Sequence, residues 1–275
     1  MIKISLNIFP DERPTWLRIL LATLPFALLI ICYLWASNAR LEENPNDKLL
    51  PSVEQMGDAI KRTAFTEDKR SGKYVFWSDT YASLKRLIVG IACAAFLACL
   101  LGLNMGLFRL CDNVLGAFLT AIAMIPPMAV LPILFIVFGL GELGKIMLIF
   151  IGAFPVITRD IYLTVKHIPT EQIVKPLTLG ASHLAIAYKI VLPQILPRLI
   201  QSVRLTLGAA WLFLIAAEAI AATDGLGYRI FLVRRYLSID VILPYVAWIT
   251  CLGYVMDLVL RGLLRWKFRW YLESR

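Results

Sequence analysis

Six stretches of this chain are long and apolar enough to cross a lipid bilayer, which excludes most folds before any motif is read. They run roughly over 19–36, 87–108, 114–138, 146–163, 203–222 and 241–264. A hydrocarbon core of about 30 Å takes about 20 residues of helix, and in lipid each backbone polar group must be satisfied within the segment. Composition agrees. The chain is 59% hydrophobic and 17% charged, with a mean hydropathy of +0.73, whereas soluble domains carry about 25% charged residues. The expected class is an all-α membrane protein with six transmembrane helices, built as one domain of 275 residues. The first run is too long for a cleaved signal, and no A-x-A site follows it.

The charges lie mainly between the runs and set an orientation. With both termini in the cytoplasm, the inner segments 1–18, 109–113, 159–204 and 261–275 hold fifteen Lys/Arg against six Asp/Glu. The outer segments 38–86, 141–145 and 218–240 hold thirteen against twelve. The net charge of +9 is therefore a positive-inside pattern, and no nucleic-acid partner is needed to explain it.

The expected divisions follow: a first segment and helix over 1–37, an outer loop over 38–82, a five-helix core over 83–264, and a basic cytoplasmic tail over 265–275. In the outer loop, Asn44-Pro45-Asn46-Asp47 and Lys69 to Lys73 read as turns. Val53, Met56, Ile60 and Ala64 keep a helical spacing, which predicts a short surface helix. Tyr74, Trp77 and Tyr81 fall where interfacial aromatics belong.

Five scattered cysteines form no CxxC, and the two histidines, His167 and His183, match no metal or triad spacing. They read as packing and loop residues, so metal and nucleophilic catalysis gain no support. Gly139 to Lys145 fits G-x-x-x-x-G-K, but the next residue is Ile146 and not a magnesium-binding hydroxyl, and a span follows. A tight outer turn is the better reading, and it leaves the chain without an ATP site of its own. Gly102 and Gly106 form a GxxxG, a sign of close helix packing.

The third run is interrupted at Pro126, Pro127 and Pro132. Proline removes a backbone donor and clashes with the preceding turn. Two readings stay open: a kinked packing helix, or a helix bent around a translocation path.

Between the fourth and fifth runs lies a basic loop, 164–200. Thr170 is placed to cap a helix from Glu171 that Pro176 breaks or restarts. Ser182 is placed to cap a second helix, His183 to Leu192, stopped by Pro193. Leu184, Tyr188, Val191 and Ile195 share a face at helical spacing. Such a helix pair suits docking into a partner's groove or resting on the bilayer.

Leu179-Gly180-Ala181-Ser182, Ile190 and Leu192-Pro193 resemble the later part of the EAA loop of binding-protein-dependent ABC importer permeases. Further segments match the nitrate/sulfonate/taurine branch in order. These are Leu50-Pro51-Ser52, Ile125-Pro126-Pro127, Leu131-Pro132, Phe138 to Glu142, Ala217-Glu218 and Gly225-Leu226-Gly227-Tyr228. Where the family commonly has Glu-Ala-Ala, this chain has Val174-Lys175-Pro176, and Glu171 is a candidate to supply the acid. Glu171 to Lys175 and Asp240 to Tyr245 also resemble permeases of urea- or guanidine-carboxylase systems.

The resemblance implies the type I importer permease fold in a bacterial inner membrane. It implies a homodimer with two cytoplasmic ABC ATPases and an outer solute-binding protein. ATP and magnesium would sit in the ATPase, with no cofactor in this chain. The coupling residues would be Glu171, Lys175, Gly180, Ala181, Ser182, Ile190, Leu192 and Pro193. The cargo would be a nitrate-, sulfonate- or taurine-like anion, or a small nitrogen compound such as urea or guanidine. The rival is a self-contained secondary transporter or channel, which calls for paired acids within the membrane.

Other candidates come from charge and position. Glu218 either lines an outer gate or faces headgroups, and Trp211 faces either a pore or lipid. Asp257 and Arg261, four apart, are expected to neutralise each other. Arg159-Asp160 reads as an interfacial anchor. Arg229, Arg234 and Arg235 are solvated surface charge, or attract an anion or the binding protein.

Overall fold

The computed structural model describes residues 14–44, 49–68 and 72–273, and these are helices and their connections, with no strand among them. Of the turns expected at 44–47 and 69–73, residues 45–47 and 69–71 lie outside the described residues, as do 1–13, 48 and 274–275. A long first helix, α1 (Thr15–Glu43), precedes a short α2 (Val53–Ile60), which runs on into a π-helical turn over Lys61–Phe65. A helix thus stands where the spacing predicts one, with Ala59 and Ala64 buried. Ser52 caps it, accepting from the Gln55 amide while the Gln55 side chain accepts from the Ser52 amide.

The core follows: α3 (Val75–Leu107), α4 (Arg109–Ala123), α5 (Pro127–Phe138) and α6 (Glu142–Lys166). A short α7 (Glu171–Thr178) and a three-residue α8 (His183–Ala185) lead through a π-helical stretch, Ile186–Val191, into α9 (Leu192–Ala221). Then come α10 (Leu226–Arg234), α11 (Ile239–Lys267) and α12 (Arg269–Glu273). Among the described residues five helices are long and apolar enough to span a membrane, or up to six if α4 and α5 count as one broken span.

The most extensive packing joins α3 to α6, and α6 in turn packs on α9. Small residues make the first contact possible. A Cβ added at Gly102 would lie 2.9 Å from Ile161 Cβ, and one at Gly106 2.5 Å from Val165 Cβ. The GxxxG is thus a close-packing device between two spans. Leu103, Ile157, Ile161, Ile186, Val191 and Ile195 form one buried cluster, near α7 and α8. Leu87, Ile149, Leu214, Leu226 and Tyr245 form another at the opposite end, near α10. These are called the elbow end and the far end below.

The structure corrects three sequence boundaries. The second span begins at Val75, twelve residues before the expected 87, because Asp79, Ser83 and Arg86 are buried on polar partners and do not lie in a loop. The outer segment 223–240 contains the helix α10. Pro193 does not stop the loop helix. The helical run continues from His183 to Ala221, 39 residues, because Pro193 falls in the first turn of α9, where a missing donor is tolerated. In α7, Pro176 is carried inside the helix, and Thr170 makes no side-chain cap bond, whereas Ser182 does, accepting from the Ala185 amide at 3.2 Å.

Helix α1 is exposed along most of its length. It is tied to the segment before α2 by Tyr33 Oη donating to Pro51 O (2.7 Å) and Ser37 Oγ donating to Leu50 O (3.0 Å).

Candidate functional site

Three features could serve transport: a knot of charge at the far end, a broken span and an exposed elbow. The knot centres on Arg86 of α3, which is 1% exposed. Its guanidinium donates from Nε and Nη2 to both oxygens of Glu142 at 2.7 Å, and from Nη1 to Glu218 Oε1 at 2.7 Å. It also binds the carbonyl and carboxylate of Asp224. Glu218 of α9 is wholly buried. It accepts from Ser83 Oγ at 2.8 Å and from the Gly227 amide at 2.8 Å. Ser83 Oγ in turn accepts from the Leu226 amide at 2.8 Å.

A second pair flanks the first. Asp79 accepts from Arg229 Nε at 2.8 Å and from the Gly225 amide at 2.9 Å. Free amides at the start of α10 thus meet carboxylates and a hydroxyl, the interaction favoured at a helix N-terminus. Gly225 has φ +117, and a Cβ there would lie 2.5 Å from the Glu218 carboxyl carbon. Only glycine fits this close turn. Four elements, α3, α6, α9 and α10, are tied at one point. Lys145, 3% exposed, donates to Glu142 at 2.9 Å; it serves the knot, and no phosphate loop is formed.

Glu218 therefore faces neither headgroups nor an open path, and Arg229 is a paired group rather than solvated charge. Arg234 and Arg235 stay exposed, with Arg234 5.1 Å from the Phe231 ring centre.

The broken span comes next. Helices α4 and α5 bend by 100° at residues 124–126. Pro126 and Pro127 sit at the break, with Pro127 opening α5, where its missing donor costs nothing. Pro132 lies inside α5 and is exposed. The bend leaves a cavity of about 350 Å³ bounded by Ile125 and Pro127, by Gly152 and Pro155 of α6, and by Thr206 and Phe213 of α9. Trp211 is 6% exposed and stacked in the core toward Gly253, its Nε1 unpaired among the described residues. It faces neither lipid nor that cavity.

The elbow has the opposite character. Leu179 is 87% exposed and Leu184 63%. Gly180, between them, takes φ +84, with nothing within 4 Å of a Cβ there. Glu171, Lys175, Ser182 and Pro193 are exposed, while Ala181, Ile190 and Leu192 are half-buried. Of the expected apolar face, Val191 and Ile195 are buried in the bundle and Leu184 and Tyr188 point outward. The elbow is rooted by one half of the stripe and presents the other.

At the elbow end, Asp160 binds Arg198 Nε at 2.8 Å and also Ser202, joining α6 to α9. It bridges two helices, and Arg159 beside it stays exposed. Asp257 pairs with Arg261 at 2.7 Å as expected, and also with Arg204 of α9 at 2.7 Å.

Residues 90–270 match the model of the family described as binding-protein-dependent transport system inner membrane component. The chain belongs to that family. The taurine transport system permease protein TauC of Escherichia coli is 33% identical over 197 residues, covering 72% of each chain. The bicarbonate transport system permease protein CmpB of Synechococcus elongatus is 32% identical over 200 residues, 72% of this chain and 71% of the relative. The fold is similar to a chain of the methionine ABC transporter MetNI in an inward-facing conformation. That match has a TM-score of 0.61 at 22% identity and covers 70% of this chain and 95% of that one. The protein is a multi-pass inner-membrane permease of this transport family, a class of transporters rather than of enzymes.

In this permease the sequence motifs and the chain-distant partners divide cleanly. Glu218 was visible as a charge at depth, and Gly225 to Tyr228 as a motif. Arg86, Asp79 and Ser83, which bind them, lay in a stretch read as loop. A helical phase carried back from 87 puts Asp79, Ser83 and Arg86 on one face of α3 and was the available signal.

Proposed function

We propose that this permease is the membrane subunit of an ATP-driven importer, coupled through Glu171 to Pro193 to a separate ABC ATPase. ATP and magnesium reside in that ATPase, two copies of which serve a permease homodimer, and an outer binding protein delivers the solute. The observation that carries the reading is the elbow. Two helices meet at a left-handed Gly180, show leucines to solvent, and are rooted in the bundle by Val191 and Ile195. Apolar side chains on a rigid, rooted turn suit a groove in a partner protein. The elbow then lies in the cytosol, a placement supported by the excess of Lys and Arg in the segments on its side.

The proposed cargo is a small anion, since relatives are named for taurine, aliphatic sulfonates and bicarbonate. Urea or guanidine is the alternative class. Nucleotide closes the ATPases and shifts the permease between two packings around the broken span. A secondary transporter is disfavoured because Glu218 and Asp257 are already bound to arginines. Uptake in proteoliposomes tests the reading. Accumulation of radiolabelled taurine or bicarbonate should require the ATPase, the binding protein and ATP. Accumulation by the permease alone on an ion gradient would refute it.

A further inference from the structure

The elbow end holds a second cavity, of about 360 Å³, between α4 and α6. Its polar lining is Arg159, Asn113, Thr120, Tyr162 and Asp112, and its apolar floor includes Leu119 and Ala123. Of the arginines at this end, Arg198 pairs with Asp160, and Arg204 and Arg261 with Asp257; Arg109 and Arg265 make no ion pair among the described residues but do not line the cavity. Arg159 is exposed and, among the described residues, has no carboxylate within ion-pair distance. The one acid in the cavity, Asp112, is already neutralised by Lys166, whose Nζ lies 2.7 Å from its Oδ2 and donates also to Tyr162 Oη at 2.5 Å. The cavity therefore carries one uncompensated guanidinium beside the Asn113 amide, over an apolar floor, while the Thr120 hydroxyl already donates to Gly116 O at 2.8 Å. Ala123 belongs to this cavity and to the one at the break of the span, so the two adjoin.

A guanidinium fork matches the paired oxygens of a phosphate, sulfonate or carboxylate, and an arginine short of a partner acid is free to use it. We propose that Arg159 anchors an oxyanion-binding site in the α4–α6 cavity, with the Asn113 amide as a supporting donor and Leu119 and Ala123 receiving an apolar tail. Two sources offer that chemistry: a small organic oxyanion on its way through the permease, and the phosphate of a membrane lipid. The site is independent of the elbow and of any ATPase.

The test uses the full-length permease in phosphatidylcholine nanodiscs without nucleotide. Methanesulfonate and inorganic phosphate are titrated by calorimetry. In a parallel arm, phosphatidylglycerol retained after purification is counted by native mass spectrometry. Arg159→Gln should weaken binding about tenfold or abolish the lipid adduct, and Arg159→Lys should keep most of it. Asn113→Leu should weaken it about threefold, and serves as the second variant if Arg159→Gln does not fold. Arg265→Gln, which removes an exposed cation elsewhere at the elbow end, should change neither arm. A response in the titration assigns the site to a free oxyanion; a response only in the lipid arm assigns it to a headgroup. Binding in neither arm, or binding unaltered by Arg159→Gln, overturns the proposal and leaves the importer reading standing. ATP-independent transport would overturn that reading and leave the site standing.

Discussion

The far-end knot and the elbow are opposite solutions for placing polar and apolar groups. In the knot, Arg86 and Glu218 are almost wholly buried and each is saturated with partners. At the elbow, Leu179 and Leu184 are bare and the adjoining turn makes few ties. A buried charge whose partner is removed destabilises strongly, whereas an exposed side chain changes stability little. The contrast teaches where folding and coupling should separate. Substitutions in the knot should act on the fold, and substitutions at the elbow on a partner.

The sharpest way to break that contrast is Arg86→Ala. It leaves Glu218 buried without its cation and should cost about 3–5 kcal/mol, seen as loss of monodisperse protein by size-exclusion chromatography. A matched Arg86→Met and Glu218→Met pair should recover part of that loss, because two apolar groups replace an ion pair. Normal yield and thermal midpoint for Arg86→Ala would remove the knot's structural role. Gly225→Ala should cost about 2–3 kcal/mol, from strain at φ +117 and a Cβ driven against the Glu218 carboxyl. It is read as a lowered thermal midpoint. Asp257→Asn strands Arg204 and Arg261, yet all three are partly exposed. About 1 kcal/mol is expected, with Arg204→Ala costing no more.

At the elbow the sign of the result matters more than its size. Gly180→Arg forces a side chain into the left-handed region, for about 1–2 kcal/mol. It meets open space in the permease, so its larger effect should be loss of the co-purified ATPase. Leu184→Asp should leave the thermal midpoint within about 0.5 kcal/mol of the parent and abolish ATP-driven uptake. A drop in stability with coupling intact would invert the comparison.

The fold was largely legible in the chain. Runs of apolar residues locate α1, α3, α6, α9 and α11 because lipid demands an unbroken helix. The prolines at 126 and 127 mark the break between α4 and α5, since proline forbids the donor that continuity needs. The knot was legible only in part. Glu218 stands out as a charge amid alanines, but Arg86 closes a stretch with Asp79 and Lys85 that reads as solvated. Its burial depends on Glu142, Glu218 and Asp224, which lie 56 to 138 residues away. Long-range pairing of this kind leaves only the shared helix face of Asp79, Ser83 and Arg86 as a local sign, and that face does not name the partners. The same holds for Asp160, whose partners Arg198 and Ser202 belong to another helix. At the elbow, Gly180 and the capping Ser182 are local signals and were readable, whereas the passage of the helix through Pro193 was not. A π-helical turn depends on how Ile186 and Val191 seat in the bundle.

The unbroken passage from His183 to Ala221 makes these opposite ends a single mechanical object. At about 1.5 Å per residue, its 39 residues make a beam about 58 Å long, with Leu184 at one tip and Glu218 near the other. Its weak points, the π-helical stretch and the prolines Pro193 and Pro197, all lie near the first tip. Beyond Pro197 the beam is regular helix packed on α6, and the ionic fastening near its second tip holds that end in place.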